Sequence, residues 1–477
     1  MRSLHHYIAG RWVAASGKEG TYAVINPATE APVAQILLGS PADVDAAVRA
    51  AHLAFPAYAA SPLEERIGHL QRLRAVFERR YAEMVTAITT EMGAPHDLSS
   101  RSQAACGPGH IDAAIAAARQ LDWETTLEQS ANVVREAVGV CGLITPWNWP
   151  INQIMAKLAP ALVAGCTVVL KPSEQAPLSA QLIAEFIDEI GLPSGVFNMV
   201  HGTGMVVGAA MSAHPDIELM SFTGSTRAGI MVAKSAADTV KRVTQELGGK
   251  SANIVFADVD LEAAVSRGVR SCFNNTGQSC NAPTRMLVES SVYDRAVEIA
   301  AATARDTRVA DPALPGKHIG PLASRMQFDK VQKCIAAGIA EGARLVAGGL
   351  GRPEGISTGF FVRPTVFADV HNQMSIARDE IFGPVLSMLR FSTLDEAVEI
   401  ANDTPFGLAA YVQSDDLQKA RAVARRLRAG SVHLNGASQG YAEPFGGYRQ
   451  SGNGRECGVY GLLEFLELKS INGYYPA

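Results

Sequence analysis

The chain has 477 residues, of which 47% are hydrophobic and only 19% are charged, so it is long enough for about three domains of ~150 residues and too apolar to be disordered. Its net charge of −5 argues against nucleic acid as the main partner, because phosphate binding usually requires a basic face. Seven cysteines without a CxxC pair, no basic-then-apolar leader and no apolar run of the ~18–20 residues that span a bilayer predict a cytoplasmic protein with free thiols, no metal site and no membrane contact.

The first part of the chain predicts short strands and amphipathic helices. Composition and apolar spacing predict strands at residues 22–26 and 131–137 and helices at 44–55, 63–92 and 111–121. The helix over 63–92 is expected to be continuous because apolar residues from Ile67 to Tyr81 form one stripe. Gly93 is expected to end it.

From Val138 the pattern changes to an alternation of strands and helices. Strands are predicted at residues 138–145, 167–170, 196–200, 219–222, 252–256, 286–288, 344–346 and 385–391, and helices at 151–162, 179–190, 261–274, 292–304 and 417–427. Strands that alternate with helices of about 10–15 residues indicate parallel sheets. Since a second series begins near Ala252, we expect two α/β domains and a smaller appendage.

Cys280 is the candidate nucleophile among the seven cysteines. It lies in the loop Asn274-Asn275-Thr276-Gly277-Gln278-Ser279-Cys280-Asn281, which is rich in Gly and small polar residues. A thiolate is a strong nucleophile, and exposed backbone amides of such a loop are expected to lower the pKa of the thiol. The others are interpreted as packing residues, the usual state of a free cysteine: Cys106, Cys141, Cys166, Cys272, Cys334 and Cys457.

Two further candidates follow predicted strands. Glu246 precedes a Gly-Gly turn that can aim a base into a cleft, although a solvated Glu beside a flexible turn fits the same pattern. Asn148 lies between two tryptophans at the carboxyl end of a strand, where ligand crevices of open α/β sheets lie. A rigid amide there can donate to a developing oxyanion; a turn that only packs is the alternative.

Two glycine-containing loops have the composition of phosphate sites. Gly204 and Gly208 belong to a GxGxxxG pattern, whose spacing differs from the dinucleotide GxGxxG. The segment Phe222-Thr223-Gly224-Ser225 follows a strand and opens a helix, so its amides and hydroxyl are suited to a phosphate. Ordinary helix caps look the same, so each motif is a weak signal alone.

Taken together, the motifs resemble those of the aldehyde dehydrogenase superfamily over nearly the whole chain. The matching stretches, in order, are Thr145-Pro146-Trp147-Asn148-Trp149-Pro150, Leu170-Lys171-Pro172-Ser173-Glu174, Phe222-Thr223-Gly224-Ser225-Thr226, Glu246-Leu247-Gly248-Gly249-Lys250, Gly277-Gln278-Ser279-Cys280, Glu380-Ile381-Phe382-Gly383-Pro384, Asn402-Asp403-Thr404-Pro405-Phe406-Gly407-Leu408 and Pro444-Phe445-Gly446-Gly447. Eight motifs in family order are decisive together. The resemblance implies an α/β protein with a Rossmann-like cofactor domain, an α/β catalytic domain and a small β oligomerisation arm.

The resemblance implies a role for each catalytic candidate. Cys280 would attack the aldehyde carbonyl, and Asn148 with the backbone N–H of Cys280 would hold the oxyanion. Glu246 would activate the water that hydrolyses the resulting thioester. Relatives that pass the thioester to coenzyme A lack this glutamate, so its presence favours release of a free acid.

The resemblance also implies an NAD site. Lys171 and Glu174 would bind the adenosine ribose, Ser225 would bind the pyrophosphate, and Glu380 would bind the nicotinamide ribose. The other cofactor residues would be Thr145, Pro146, Trp147, Ser173, Gly204, Gly208, Phe222, Gly224, Leu247, Gly248 and Phe382. A carboxylate at the ribose hydroxyls would repel the extra phosphate of NADP, so Glu174 favours NAD, while use of both cofactors stays open.

The expected substrate channel departs from the commonest family pattern. Its lining would be Asn152, Gln153, Ala156, Ser279 and Asn281. Relatives often carry bulky aromatic residues on the helix and small or apolar residues after the nucleophile, so this channel is predicted to be wider and more polar. The run Asn281-Ala282-Pro283-Thr284-Arg285 resembles a subgroup that oxidises ω-oxo acids and medium or long aliphatic aldehydes.

Three other functions share part of the pattern. A coenzyme A-acylating dehydrogenase would lack the glutamate at position 246, and a non-catalytic cofactor-binding or structural protein on this scaffold would have lost catalytic residues that are all present here. A cysteine hydrolase would not explain the presence of Lys171, Glu174 and Glu380.

The resemblance implies the division of the chain. Residues 1–118 and 139–248 would form the NAD-binding domain, residues 249–448 the catalytic domain, and residues 119–138 and 449–477 the oligomerisation segments. Apolar alternation over residues 462–468 predicts an exposed strand that needs a partner, which favours a homodimer or homotetramer.

Overall fold

The computed structural model describes residues 2–17, 19–127 and 131–474. Its strands are β1 (Arg2–Leu4), β2 (His6–Ile8), β3 (Arg11–Val13), β4 (Thr21–Ile25), β5 (Pro32–Leu37), β6 (Glu124–Leu127), β7 (Ala131–Ala137), β8 (Val140–Ile144), β9 (Thr167–Lys171), β10 (Phe197–Met199), β11 (Leu219–Thr223), β12 (Arg242–Glu246), β13 (Ala252–Val255), β14 (Arg285–Glu289), β15 (Arg344–Ala347), β16 (Thr365–Ala368), β17 (Val385–Phe391), β18 (Ala409–Gln413), β19 (Ser431–Leu434), β20 (Gly452–Asn453) and β21 (Leu466–Ile471). They form four sheets of three, eight, seven and three strands within the described residues.

The helices alternate with these strands from β8 onward, as the sequence predicts. They are α1 (Pro41–Ala59), α2 (Leu63–Arg79), α3 (Tyr81–Met92), α4 (His96–Leu98), α5 (Cys106–Gln120), α6 (Pro150–Ala164), α7 (Pro177–Glu189), α8 (Ala209–Ala213), α9 (Thr226–Ala236), α10 (Leu261–Phe273), α11 (Tyr293–Asp306), α12 (Arg325–Ala340), α13 (Ser375–Arg378), α14 (Leu394–Asn402), α15 (Leu417–Arg426) and α16 (Gly458–Leu463). In the described part of the chain, none of them combines the length and the apolar character that a membrane crossing requires.

The order in which the chain adds strands to the eight-stranded sheet reverses at β8. Its strand order is β20-β12-β11-β8-β9-β10-β2-β3, and β8 to β12 are all parallel to their neighbours within that series. The chain lays β9 and β10 on one side of β8 and then returns to place β11 and β12 on the other side. Open α/β sheets bind ligands at such a switch point, outside the carboxyl ends of the strands.

The seven-stranded sheet forms the second α/β layer. Its order is β15-β16-β17-β14-β13-β18-β19, and only β15 runs antiparallel to its neighbour. The interior strand β13 is completely buried, with apolar cores on both faces of the sheet. The loop between α10 and β14 carries Cys280 out of this layer.

A three-stranded sheet extends from these layers. Its order is β21-β7-β6, and β7 pairs antiparallel with β21 over six residue pairs from Ala137↔Leu466 to Asn132↔Ile471. The predicted strand over residues 462–468 is wrong in its first part, because residues up to Leu463 belong to α16. The apolar residue at this first part of the run, Leu462, is buried. It belongs to the apolar core that also contains Ile67 and Phe77 of α2.

The predicted continuous helix over residues 63–92 is also wrong. Arg80 has φ −104° and ψ 20°, so α2 ends before it and α3 begins after it. Its guanidinium donates to Glu83 and to Glu185 at 2.8 Å and lies over the ring of Phe186 at 4.9 Å. The apolar stripe continues through the break because both helices pack on the same core. Gly93 ends α3 with φ 77°, as predicted.

Candidate active site

The loop that carries Cys280 is tightly packed and contains residues with unusual backbone angles. Asn275 and Thr276 have φ values of 52° and 56°, in the left-handed region that non-glycine residues rarely adopt. Gly277 follows with φ 73°, and a Cβ there would lie 2.1 Å from the carbonyl oxygen of Gly383. Gln278 is fully buried, and its Oε1 accepts a hydrogen bond from the backbone N–H of Ala323 at 2.9 Å. The loop therefore holds the position of the following residues rigidly.

Asn148 is hydrogen-bonded to this loop. Its Nδ2 donates to the carbonyl oxygen of Gln278 at 3.1 Å, and Asn275 Nδ2 donates in return to the carbonyl oxygen of Asn148 at 2.9 Å. The indole of Trp149 donates to Ser279 Oγ at 2.8 Å. Since an amide nitrogen has two hydrogens, Asn148 retains one donor beyond its bond to Gln278.

Cys280 is partly exposed as a residue, but its thiol is surrounded by protein atoms. Its burial among protein atoms raises its pKa, and the carboxylates of Glu380, Glu246 and Glu456 raise it further. A hydrogen bond from the backbone amide of Asn281 acts in the opposite direction but does not compensate. The loop amide therefore acts in the predicted direction, but the net pKa of Cys280 is raised, because burial and the neighbouring carboxylates oppose the thiolate more strongly.

Glu246 ends β12 and is buried, with 4% of its surface exposed. Neither carboxylate oxygen has a hydrogen-bond partner in the protein. Burial, followed by the charge of Glu456, raises the pKa of Glu246 well above its ordinary value, and Lys157 partly offsets this. The turn after β12 packs directly on the nucleophile loop, since a Cβ on Gly249 would lie 2.4 Å from the carbonyl oxygen of Cys280.

Lys157 and Glu456 form a buried ion pair beside this site. Lys157 lies on α6, and its Nζ donates to the carboxylate of Glu456, which precedes α16. Sequence inspection missed this pair because the partners are 299 residues apart and belong to no local motif.

The residues predicted to hold a cofactor cluster at the carboxyl ends of the strands that flank the switch point. They follow or end β8 (Thr145, Pro146, Trp147), β9 (Lys171, Ser173, Glu174), β10 (Gly204, Gly208), β11 (Phe222, Gly224, Ser225) and β12 (Leu247, Gly248). Glu380 and Phe382 reach the same region from the loop between α13 and β17. The Glu380 carboxylate accepts from the Gly249 N–H at 3.0 Å, and the Phe382 and Trp147 rings meet edge to face at 5.6 Å.

The chemistry of this crevice fits an elongated polar ligand such as a dinucleotide. The hydroxyls of Thr145 and Thr223, at the ends of adjacent strands, are buried and have no partner in the protein. Ser225 caps α9 by accepting from the Ala228 N–H at 3.3 Å, which leaves other first-turn amides for an anion. Lys171 Nζ lies 3.0 Å from the carboxylate of Glu174. A positive and a negative side chain therefore stand together at the carboxyl end of β9.

Cys280 also lines a cavity of about 1040 Å³, whose walls contain none of the predicted cofactor residues. The five residues predicted for the substrate channel all line it: Asn152, Gln153, Ala156, Ser279 and Asn281. Sequence reasoning missed Cys106 and His110 of α5 and Tyr441 of the loop between β19 and β20, which also line it. None of these three residues belongs to one of the family motifs, so the sequence pattern did not indicate them.

The cysteine predictions are confirmed in part. Cys106, Cys141, Cys166 and Cys272 are buried, as expected, and the partly exposed Cys334 packs against the apolar core on one face of the seven-stranded sheet, whereas Cys457 is partly exposed. Cys457 lies beside Glu456 in the cavity wall. No group of three or more His, Cys, Asp or Glu side chains suited to a metal ion occurs among the described residues.

Comparison with known proteins gives a consistent result. A family profile described as "Aldehyde dehydrogenase family" matches residues 12–471. The chain is 54% identical over 469 residues, 98% of each chain, to a 3-succinoylsemialdehyde-pyridine dehydrogenase from a Pseudomonas species. It is similar to the crystal structure of a mutant aldehyde dehydrogenase C from Pseudomonas syringae complexed with NAD⁺ and octanal, with TM-score 0.98, 51% identity and coverage of 99% and 97%. An aldehyde dehydrogenase structure from Bartonella henselae matches with TM-score 0.97, 50% identity and coverage of 99% and 100%.

Proposed function

Because the chain belongs to the aldehyde dehydrogenase family, we propose that it oxidises an aldehyde to the carboxylic acid with NAD, through a covalent intermediate on Cys280. The observation that carries this proposal is the position of Cys280 between two compartments. On one side lies the cavity of about 1040 Å³. On the other side the Gly249 turn packs on Cys280 and leads to Glu380 and the crevice at the switch point.

NAD is the cofactor that the crevice residues suit. Lys171 and Glu174 would hold the adenosine ribose, the α9 amides with Ser225 would hold the pyrophosphate, and Glu380 would hold the nicotinamide ribose. When bound, NAD supplies the acceptor for the hydride that leaves the substrate carbon. The carboxylate of Glu174 disfavours the additional phosphate of NADP by charge repulsion, and relatives of known structure are complexed with NAD⁺.

Acylation begins when the Cys280 thiol gives its proton to solvent and the sulfur bonds to the aldehyde carbon, while the carbonyl π electrons move to the oxygen. The oxygen then carries the negative charge until the C=O double bond re-forms with loss of the hydride, which leaves a thioester on Cys280. Asn148 Nδ2 has one unused hydrogen on an amide fixed by Gln278, so with the backbone N–H of Cys280 it would stabilise this oxyanion. Such preorganised donors contribute about 3–4 kcal/mol each in comparable sites.

Deacylation requires a base, and two features of Glu246 support its assignment to that role: it is buried, and its carboxylate has no partner in the protein. Its two oxygens have no protein partner, so they are available to take a proton from water. The water oxygen bonds to the thioester carbon, the carbon–sulfur bond breaks, and the acid leaves while Cys280 regains its thiolate. General-base assistance of this kind is typically worth 10²–10⁴-fold.

The cavity favours a medium or long aliphatic aldehyde or an ω-oxo acid. Its volume exceeds what a two-carbon aldehyde needs, and Ala156 contributes little bulk to the wall. Two relatives support this class: one is complexed with octanal in its crystal structure, and the other is named a 3-succinoylsemialdehyde-pyridine dehydrogenase.

We also propose the domain division given above and self-association through the three-stranded sheet. Its outer strands β21 and β6 each have one unpaired edge within the described residues, and Leu468 and Leu127 are 67% and 51% exposed. Exposed edges of this kind are usually covered. Light scattering coupled to size exclusion distinguishes a dimer or tetramer from a monomer, and a monomer would contradict this part of the proposal.

The test of the function is turnover of aldehydes with NAD, followed by NADH absorbance and by mass spectrometry of the product. We expect one acid per NADH and no acyl-coenzyme A when coenzyme A is added. Cys280→Ser should abolish turnover, whereas Cys334→Ser, a change at another partly exposed thiol, should not. Full activity of Cys280→Ser would refute the nucleophile, acyl-coenzyme A would favour the acylating alternative, and NAD binding without turnover would favour a non-catalytic protein.

A further inference from the structure

Glu91, in the last turn of α3, has a buried carboxylate that contacts another helix. Only 1% of the residue is exposed. The carboxylate accepts hydrogen bonds from the backbone N–H groups of Leu178 and Ser179, the latter at 3.0 Å, and from the hydroxyl of Ser179. Both partners lie in the first turn of α7, 87 and 88 residues further along the chain. The carboxylate therefore links the end of α3 to the beginning of α7.

The beginning of α7 depends on this carboxylate because the helix has no cap of its own. Ala176, at the N-cap position, has no side-chain acceptor, and Pro177, at the first helical position, has no N–H. The first amides of the helix are therefore those of Leu178 and Ser179, which are the two that donate to Glu91. A negative charge at a helix N-terminus is also favourable. Glu91 thus takes the place of the Ser, Thr, Asn or Asp that commonly caps a helix.

The turn in front of α7 carries Glu174, which the proposed function assigns to the adenosine ribose. This turn follows Lys171, the last residue of β9, whose Nζ donates to the carbonyl oxygen of Pro172 and to the Glu174 carboxylate, both at 3.0 Å. Only three residues separate Glu174 from Leu178. Since β9 fixes one end of the turn and α7 fixes the other, the position of Glu174 depends on the first turn of the helix.

We propose that Glu91 is a positioning residue for the cofactor: its carboxylate fixes the first turn of α7 and thereby holds Glu174 where it meets the adenosine ribose. This inference rests on the proposed function, because it concerns the same cofactor crevice. Glu91 acts through Glu174, so its replacement should impair binding of the adenosine half of NAD and leave the chemistry at Cys280 unchanged.

Calorimetry with AMP, which contains the adenosine ribose and lacks the nicotinamide, measures this role without turnover. Measurement at about pH 8 keeps Glu91 mostly ionised, because burial raises its pKa to about 7. Glu91→Gln places an NH₂ group against backbone donors and should weaken AMP binding about 10-fold, the effect of one lost charge-assisted hydrogen bond. Ser179→Ala, which removes only the hydroxyl contact, should weaken it about threefold and carries the same test if Glu91→Gln does not fold.

Two controls separate positioning from general stability. Glu83→Gln makes the same change on the same helix, at a residue that pairs with Arg80, and should not alter AMP binding. Ile88→Val opens a small cavity in the core beneath α3 and should lower Tm without weakening AMP binding. In Glu91→Gln, KM for NAD should rise about 10-fold, while kcat and KM for the aldehyde should stay within about twofold of the wild-type values.

A double-mutant cycle tests whether Glu91 acts through Glu174. If it does, Glu91→Gln should weaken AMP binding much less in the Glu174→Gln background than in the wild-type protein. Equal effects in the two backgrounds would overturn the inference. An unchanged AMP affinity in Glu91→Gln would also overturn it, as would a parallel loss of affinity in Ile88→Val, which indicates a structural role only.

The outcomes also separate this inference from the proposed function. AMP binding that depends on Glu91, in a protein that turns over no aldehyde, would refute the proposed oxidation and support the inference. Normal turnover with unaltered AMP binding in Glu91→Gln would do the reverse. A wild-type protein that binds neither AMP nor NAD would refute both.

Discussion

Lys157 donates a hydrogen bond to the carboxylate of Glu456 inside the protein, where the two side chains are 1% and 11% exposed. This contact joins the helix after the Asn148 loop to the segment before α16. It also places one positive and one negative charge near Glu246, with opposite effects on the pKa of that carboxylate. The stability of the fold and the protonation of the proposed base therefore depend on the same pair.

Replacing Lys157 with Met should destabilise the protein by about 3–5 kcal/mol, because it leaves the Glu456 carboxylate buried without its partner. The double variant Lys157→Met with Glu456→Leu should recover most of that loss, because no uncompensated charge remains. Chemical denaturation of the two variants and the wild-type protein gives the comparison. A double variant that is less stable than Lys157→Met would contradict the account.

The pH dependence of deacylation should move in opposite directions in two variants. The pKa of Glu246 is raised by burial and by Glu456 and is lowered by Lys157, so its ionised, active form accumulates only as pH rises through that elevated pKa. Turnover is therefore expected to increase from neutral towards alkaline pH. Glu456→Gln should shift the rise to lower pH and Lys157→Met should shift it to higher pH, as measured by kcat against pH over the range in which each variant stays folded. Identical profiles would exclude the electrostatic link.

Replacing Asn148 with Ala should lower kcat by about 10²–10³-fold through loss of one oxyanion donor. The fold should be little affected, because Asn275 Nδ2 also donates to the Gln278 carbonyl at 3.2 Å and to the backbone oxygen of residue 148. Affinity for NAD, measured by fluorescence quenching, should be unchanged. A variant with normal kcat would remove Asn148 from the proposed oxyanion site.

Replacing Glu174 with Gln should change cofactor preference. The carboxylate lies 3.0 Å from Lys171 Nζ, and its removal eliminates the repulsion of a phosphate while Lys171 stays in place as a cation. We expect the ratio of kcat/KM for NADP to that for NAD to increase about 10-fold or more. Lys171→Met, which keeps the carboxylate, should weaken both cofactors and should not raise the ratio. An unchanged ratio in Glu174→Gln would place the origin of the preference elsewhere.

Much of the site could be predicted because its residues stand at element boundaries that the sequence marks. Thr145 and Ser225 each follow a short apolar strand, Glu246 stands before a Gly-Gly turn, and parallel strands present their carboxyl ends at one edge. The strand–helix alternation after Val138 therefore predicts that these residues converge. Gly277, three residues before Cys280, likewise predicts a loop with an unusual backbone conformation. Its φ of 73° lies in the left-handed region.

Other features could not be predicted from local patterns. The apolar stripe of α2 and α3 contains no Pro or Gly at Arg80, and the break there depends on contacts of its guanidinium with Glu185 and Phe186, about 100 residues away. The apolar residues near Leu462 have the spacing of a strand but pack as a helix on the core. In both places tertiary contacts outweighed the local preference.

The sequence by itself determined the family, the α/β alternation and the identity of the candidate nucleophile, base and oxyanion donor, because these depend on residue type and on short-range order along the chain. Only the tertiary structure decided the electrostatic state of the site, since burial beside Glu380, Glu246 and Glu456 raises the pKa of Cys280. It also decided which side chains meet in the cavity, where His110 of α5 contacts Asn152 of α6 at 2.8 Å. Charge interactions and hydrogen bonds depend on distance in space, and spacing along the chain does not determine that distance.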